Sequence, residues 1–546
     1  MQVFLPESDY TVIISENKAG KHYFPQEKQE DDCKMPKWLN DAVFYEIYPQ
    51  SFCDTNGDGI GDLEGIIQKL DYVRSLGCNA LWINPCFDSP FMDAGYDVRD
   101  YKKIAPRYGT NDDMVRCFRE AHRRGMHVLL DLVPGHTSYL HPWFQESQKA
   151  AKNEFSNRYL WTDSVWNRPD GFGCLSGVSE RDACCLLNFF SSQPALNYGF
   201  HKITAPWQMP YTHPDCIATR EAMKDVMRFW LDLGCDGFRV DMADSLVKND
   251  DGKEATCELW RDVHAMLAHD YPEAAMVSEW SNPEQAIHQA KFDMDFYLDH
   301  NGNGYHSLFR QTGNDGSQRS FFSKQGRGDI MKFLDDYLPR YRASREDGFM
   351  SFITCNHDTP RMTKAFDELE CKIADAFLFL MPGVPFLYYG DEIGMRYLSL
   401  TSVEGGYQRT GTRTPMQWTR GKNHGFSEAP EEKLYLPVDE SSFAPSVEAQ
   451  EEDPDSLLNT VRRVISLRHA NPDLQSKANF EVIYAEKEKY PFVFGRGRFM
   501  IAVNPSARET EIPLERQGSP VFQIGACSLR NGRLLMKGQS FGVFRL

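Results

Sequence analysis

The chain has no basic leader followed by a sustained apolar stretch, and nowhere in its 546 residues does an uncharged run that is also continuously apolar reach the roughly 18 residues of a membrane span. Neither secretion nor membrane insertion is expected, and a cytoplasmic protein is. Positive charge is also short. The 60 Lys and Arg stand against 78 Asp and Glu, a formal net charge of −18, and no basic stripe offsets the deficit, which excludes a nucleic-acid partner. Paired CxxC spacing is missing from the 14 cysteines. Cys78, Cys235 and Cys355 instead sit in apolar, strand-like runs as small hydrophobes, in keeping with a reducing compartment. The adjacent Cys184 and Cys185 have no second ligand pair nearby and are assigned no metal. Internal repeats and low-complexity tracts are absent too, which excludes a solenoid.

What is present is an ordinary globular composition, 41% apolar and 25% charged, on a chain too long for one simple core. From about residue 41, short β-type runs alternate with helical patterns. Eight such runs are AVFYEIYP from Ala42, NALWINP from Asn79, HVLLDLV from His127, GFRVDM from Gly237, AAMVSEW from Ala274, DMDFYL from Asp293, FMSFITCNHD from Phe349 and GVPFLYYGDEI from Gly383. Eight βα units predict an α/β fold, a closed (β/α)8 TIM barrel. The stretch between the third and fourth runs exceeds one crossover helix, so an inserted subdomain is expected over 137–210. The barrel then comprises 41–136 and 211–474. FVFGRGRFMIAV and FGVFRL read as antiparallel strands of a C-terminal β-sandwich domain over 475–546, and 1–40 reads as an N-terminal extension.

The third, fourth, fifth and seventh runs end in polar residues that a packed barrel interior would not tolerate: Asp131 with His136, Arg239 with Asp241, Glu279, and His357 with Asp358. Strand ends of a barrel converge on one mouth. Several carboxylates gathered there suit glycosidic cleavage, in which one acid protonates the leaving oxygen and one carboxylate meets the cationic sugar carbon. Each carboxylate alone could as well be a strand-end cap or an ion-pair member.

DLVPGH, GFRVDMAD, VSEW and CNHD, in this order, resemble the conserved segments of the α-amylase family of glycoside hydrolases. NALWINPCFDSPFMDAGYDVRDYKKI, YYGDEIGM and RTPMQW resemble its oligo-1,6-glucosidase, α-glucosidase and trehalose synthase branch. The resemblance implies Asp241 as nucleophile, Glu279 as acid/base with a raised pKa, and Asp358 as a third carboxylate holding sugar hydroxyls. It further implies that His136 and His357 bond the same ring, that Arg239 fixes Asp241 and that Tyr96 stacks under the sugar. Asp93 and Arg413 would close the far end of the subsite. A closed end means exo action on a small oligosaccharide, by a retaining α-glucosidase with no organic cofactor. An α-glucosyl transferase or isomerase using the same triad is the alternative. Linkage preference and oligomeric state stay open.

Asp54, Asn56, Asp58, Ile60 and Asp62 space oxygen ligands two residues apart, as a structural Ca²⁺ requires, with glycines permitting the wrap. The loop resembles the calcium loop of this branch, and a metal-free Asp/Gly turn is the alternative reading. Three positions depart from the family pattern: Gly135 stands where Asn is usual, Ala195 replaces the Asp of a QPDLN motif, and Met242 follows the predicted nucleophile.

Overall fold

The computed structural model describes residues 35–300, 302–403 and 409–546. Residues 1–34 of the expected N-terminal extension lie outside the described residues; the chain enters the fold through the short turn Lys37–Asp41.

All eight predicted runs form strands. They are β1 (Phe44–Ile47), β2 (Ala80–Ile83), β3 (His127–Leu132), β4 (Gly237–Val240), β5 (Ala275–Ser278), β6 (Met294–Phe296), β7 (Phe349–Ser351) and β8 (Phe386–Tyr388). The sheet runs β7-β6-β5-β4-β3-β2-β1-β8 with every pair parallel, and a bridge from Ile353 to Phe386 joins its two ends into a barrel. β1, β2, β4 and β5 are buried at every position, as strands packed on both faces must be. Close backbone approach fixes Gly237 at the start of β4. Its φ is +140°, and a Cβ there would lie 1.9 Å from the Ala275 carbonyl oxygen.

Helices on the outside begin where the sequence caps them. Asp62 accepts from the Gly65 amide at 2.7 Å to start Leu63–Ser75, and Thr110 with Asp113 makes a capping box for Asn111–Arg123. The regular alternation fails between β5 and β6, where a six-residue π-helical turn, Glu284–Gln289, replaces the expected long helix.

Residues 137–210 leave the barrel after β3. They carry the short helix Pro142–Ser147 and a hairpin of Cys174–Ser176 with Cys184–Leu186, over a small core of Leu160, Leu186, Ala195 and Phe200. Beyond the helix Leu457–His469, a five-stranded antiparallel sheet faces a three-stranded one. Val493, Met500, Ala502 and Phe544 of the first pack with Ile512, Leu534 and Met536 of the second, while the first sheet's other face, with Phe492, Phe494, Ile501 and Phe541, belongs to the barrel's core.

Candidate active site

The strand ends on β3, β4 and β5 meet around one cation. Arg239, on β4, is 1% exposed. Its Nη1 donates to Asp241 Oδ1 at 3.0 Å and to Asp131 Oδ1 at 2.9 Å, and its Nη2 lies 2.9 Å from Glu279 Oε1. A planar guanidinium suits this bridging, since its nitrogens point at fixed angles. Met242, next after Asp241, has φ 43° and ψ 45°, a left-handed conformation costing a non-glycine residue about 1–2 kcal/mol. That turn aims its amide at Glu279 Oε2, 2.9 Å away.

Below Asp241 lies a buried polar floor. The Tyr96 hydroxyl donates to Asp131 Oδ2 at 3.0 Å and sits 2.6 Å from His357 Nε2, with the two rings stacked. His357 Nδ1 is 2.8 Å from Glu46 Oε1, a carboxylate from β1 that is fully buried. Burial pushes the Glu46 carboxyl up and the His357 imidazole down, so the pair shares its contact with less charge than the residue types suggest. Burial likewise raises Asp131 to about 6, against the pull of Arg239. Asp241 is raised by burial and then by the neighbouring Glu279 carboxylate, with Arg239 opposing both. Asp358 goes the other way: burial works against its charge, but His357, Arg409 and Arg413 outweigh it and hold it well below the usual carboxylate range.

These groups line or underlie a cavity of about 320 Å³. Asp93, Tyr96, His136 and Arg409, each at most 9% exposed, form its inner end, and Phe189, Trp280 and His300 stand at its more exposed mouth. The inner end is closed by Arg409, which contacts Asp93 through Nη2 and Asp358 Oδ1 at 2.8 Å through Nη1. Arg413, paired with Asp93 by resemblance, is fully buried behind Asp358 instead, donating to its Oδ1 at 2.9 Å and to the His357 carbonyl at 2.7 Å. The arginine ion-paired to Asp93 is therefore Arg409, which lies four residues earlier in RTGTR, and nothing in the sequence distinguished the two. His136 lines the cavity with its Nε2 3.1 Å from the Tyr96 carbonyl and its Nδ1 facing Asn188.

The inserted subdomain supplies groups that sequence reading did not select. Gln193 donates from Nε2 to Asp93 Oδ2 at 2.8 Å, and Ala195, in place of the motif Asp, is a buried residue bridged to His136. Phe189 and Asn188 come from the same stretch. No local pattern marked Asn188 or Gln193, because the site groups that their side chains meet are more than 50 residues away.

In the loop after β1, Asp54 Oδ1 accepts from the Asn56 and Gly57 amides and Oδ2 from Gly59. Asn56 and Asp58 each accept the amide two residues on, and Asp62 takes Thr55 as well as its helix cap. The donor set of side-chain oxygens and the Ile60 carbonyl is of the hard kind that suits Ca²⁺.

A closed parallel barrel whose strand ends collect an arginine-bridged set of carboxylates in one pocket defines a barrel enzyme with its site at the C-terminal face of the strands. The family described as Alpha amylase, catalytic domain, matches residues 46–477, and the chain belongs to this family of glycoside hydrolases. A trehalose synthase/amylase of Mycolicibacterium smegmatis is 34% identical over 489 residues, 79% of this chain and 76% of its own. A glucan 1,6-alpha-glucosidase of Streptococcus pneumoniae is 30% identical over 530 residues, 88% of this chain and 93% of its own. The crystal structure of a trehalulose synthase from Pseudomonas mesoacidophila superposes with a TM-score of 0.77 at 24% identity, covering 93% of this chain and 99% of its own. Among the described residues no helix is long and apolar enough to cross a membrane.

Proposed function

We propose that the protein is a retaining, exo-acting α-glucosidase of short α-glucans or sucrose. The observation that carries this reading is the cavity's inner end, shut by the buried ion pair of Asp93 and Arg409, which leaves room for a terminal sugar and none for a chain running through. In this reading an Asp241 oxygen attacks the anomeric carbon while Glu279 gives its proton to the departing glycosidic oxygen. Water then loses a proton to Glu279 and displaces Asp241, so two inversions retain the configuration. Arg239 opposes the protonation that burial favours on Asp241, Asp358 holds ring hydroxyls above the buried His357, and Tyr96 stacks on the ring. Asp93 and Arg409 take the outermost hydroxyls, with Arg413 behind Asp358 adding its charge.

The rival reading passes the same glucosyl intermediate to a sugar acceptor, as a transferase or isomerase does. Its support is the 34% identity to a trehalose synthase/amylase. Purified protein incubated with maltose, isomaltose, sucrose, trehalose and maltohexaose, with products followed by NMR, separates them. Initial release of α-glucose supports the glucosidase and gives its linkage, β-glucose overturns retention, and a new disaccharide without net glucose favours the rival.

Asp54, Asn56, Asp58, Asp62 and the Ile60 carbonyl are proposed to hold a Ca²⁺ ion that firms the loop and takes no part in the chemistry. A cytoplasmic location is proposed too, supported by thiols such as Cys117, a buried apolar-type side chain whose burial lifts it to about 12.

A further inference from the structure

Gly135 is not among the glycines with positive φ, so its backbone would accept a side chain, yet a Cβ there would lie 2.7 Å from Asn188 Nδ2. The Asn188 amide, arriving from the inserted subdomain, thus fills the volume that a side chain at 135 would take. Three contacts fix it. Lys248 donates from Nζ to Asn188 Oδ1 at 3.0 Å, Asn188 Nδ2 faces His136 Nδ1 at 3.1 Å, and the same Nδ2 lies 3.8 Å from the Met242 sulfur, beside Asp241. An ammonium only donates, so Oδ1 must be the atom toward Lys248 and the NH2 the group toward His136. A donor at Nδ1 requires a lone pair there. The proton then sits on Nε2, which meets the Tyr96 carbonyl at 3.1 Å.

We propose that Lys248 and Asn188 form a positioning relay that sets the tautomer and tilt of His136 in the sugar pocket, with Asn188 standing in space for a side chain missing at position 135. The relay's effect on turnover rests on the glucosidase reading; its packing exchange does not. Burial, with a smaller contribution from Lys248, lowers the imidazole to about 4, which agrees with a neutral ring.

The test is a substitution cycle on the full chain, reading melting temperature and kcat/KM with p-nitrophenyl α-D-glucoside. Asn188→Ala should lower kcat/KM about 10- to 100-fold, the scale of a misplaced active-site group, and Lys248→Met should do the same, with the double variant costing little more than either. Gly135→Asn alone should melt lower than wild type. Gly135→Asn with Asn188→Gly moves the amide to the other anchor and should recover both the melting temperature and most of the lost kcat/KM. Wild-type kcat/KM in Asn188→Ala, additive losses in the relay pair, or losses that simply add in the Gly135/Asn188 pair overturn the proposal. A wild-type protein that turns over no α-glucoside removes the glucosidase reading and leaves this one to the melting cycle, where additivity is again fatal.

Discussion

The Met242 amide donates to Glu279 Oε2 across 2.9 Å, and it can do so only because Met242 is held in a left-handed conformation. The backbone strain beside Asp241 thus orients the second carboxylate of the pair, a use of strain common where chemistry is done.

Asp241→Asn should keep the fold and lose turnover by roughly a thousandfold or more, since an amide cannot form the glycosyl ester. Circular dichroism and kcat on an aryl α-glucoside check this. Wild-type-like turnover in that variant would remove Asp241 from its role.

Arg409→Met should leave Asp93 buried without the cation that offsets its burial, which already raises its carboxyl. The expected result is a drop in kcat/KM of about tenfold or more on disaccharides and a smaller drop on maltohexaose, as the closed end is opened. Equal losses on both substrates would count against Arg409 as the closure.

Asp295, on β6, accepts from the Ser278 hydroxyl and the Ser281 amide through Oδ1, while its buried Oδ2 has no partner. Burial raises its carboxyl to about 7. The native state therefore holds a proton that the unfolded chain releases near pH 4, so its favourable contribution is full below that pH and is lost as pH rises through 7. Asp295→Asn keeps the Oδ1 contacts and removes the titration. Melting at pH 8 should rise, by an amount on the order of 2 kcal/mol, and the gain should vanish near pH 4. A gain independent of pH would show that the carboxyl does not titrate there.

Chelation should lower the melting temperature by about 1–4 °C, reversed by Ca²⁺, and Asp58→Ala should be insensitive to chelator. The loss is modest because Asp54 and Asp62 already satisfy the loop's own amides and cap the first helix. No response in the wild-type protein would leave the loop a metal-free turn.

The eight strands were legible because a buried parallel strand writes itself as a short apolar run, and the strand-end carboxylates because charge at the end of such a run is conspicuous. Arg409 was not. It and Arg413 share a motif, and which one reaches Asp93, more than 300 residues away in sequence, is decided by the path of a loop and by the space behind Asp358. Asn188 was illegible for the same reason: its place depends on what Gly135 lacks. The turn Glu284–Gln289 shows the converse limit, an expected helix shortened where the chain between β5 and β6 is brief.

In the five-stranded sheet, Ser540–Arg545 pairs with Phe499–Asn504 on one side and Ser519–Ile524 on the other. That sheet is a party wall between the sandwich and the barrel, so its occupants on both sides share one fate. Without this strand the wall would be open beside the aromatic face of Phe377, Phe492 and Phe494. The barrel's outer packing therefore depends on this strand, and the sandwich cannot be shed as a detachable accessory without unroofing the enzyme.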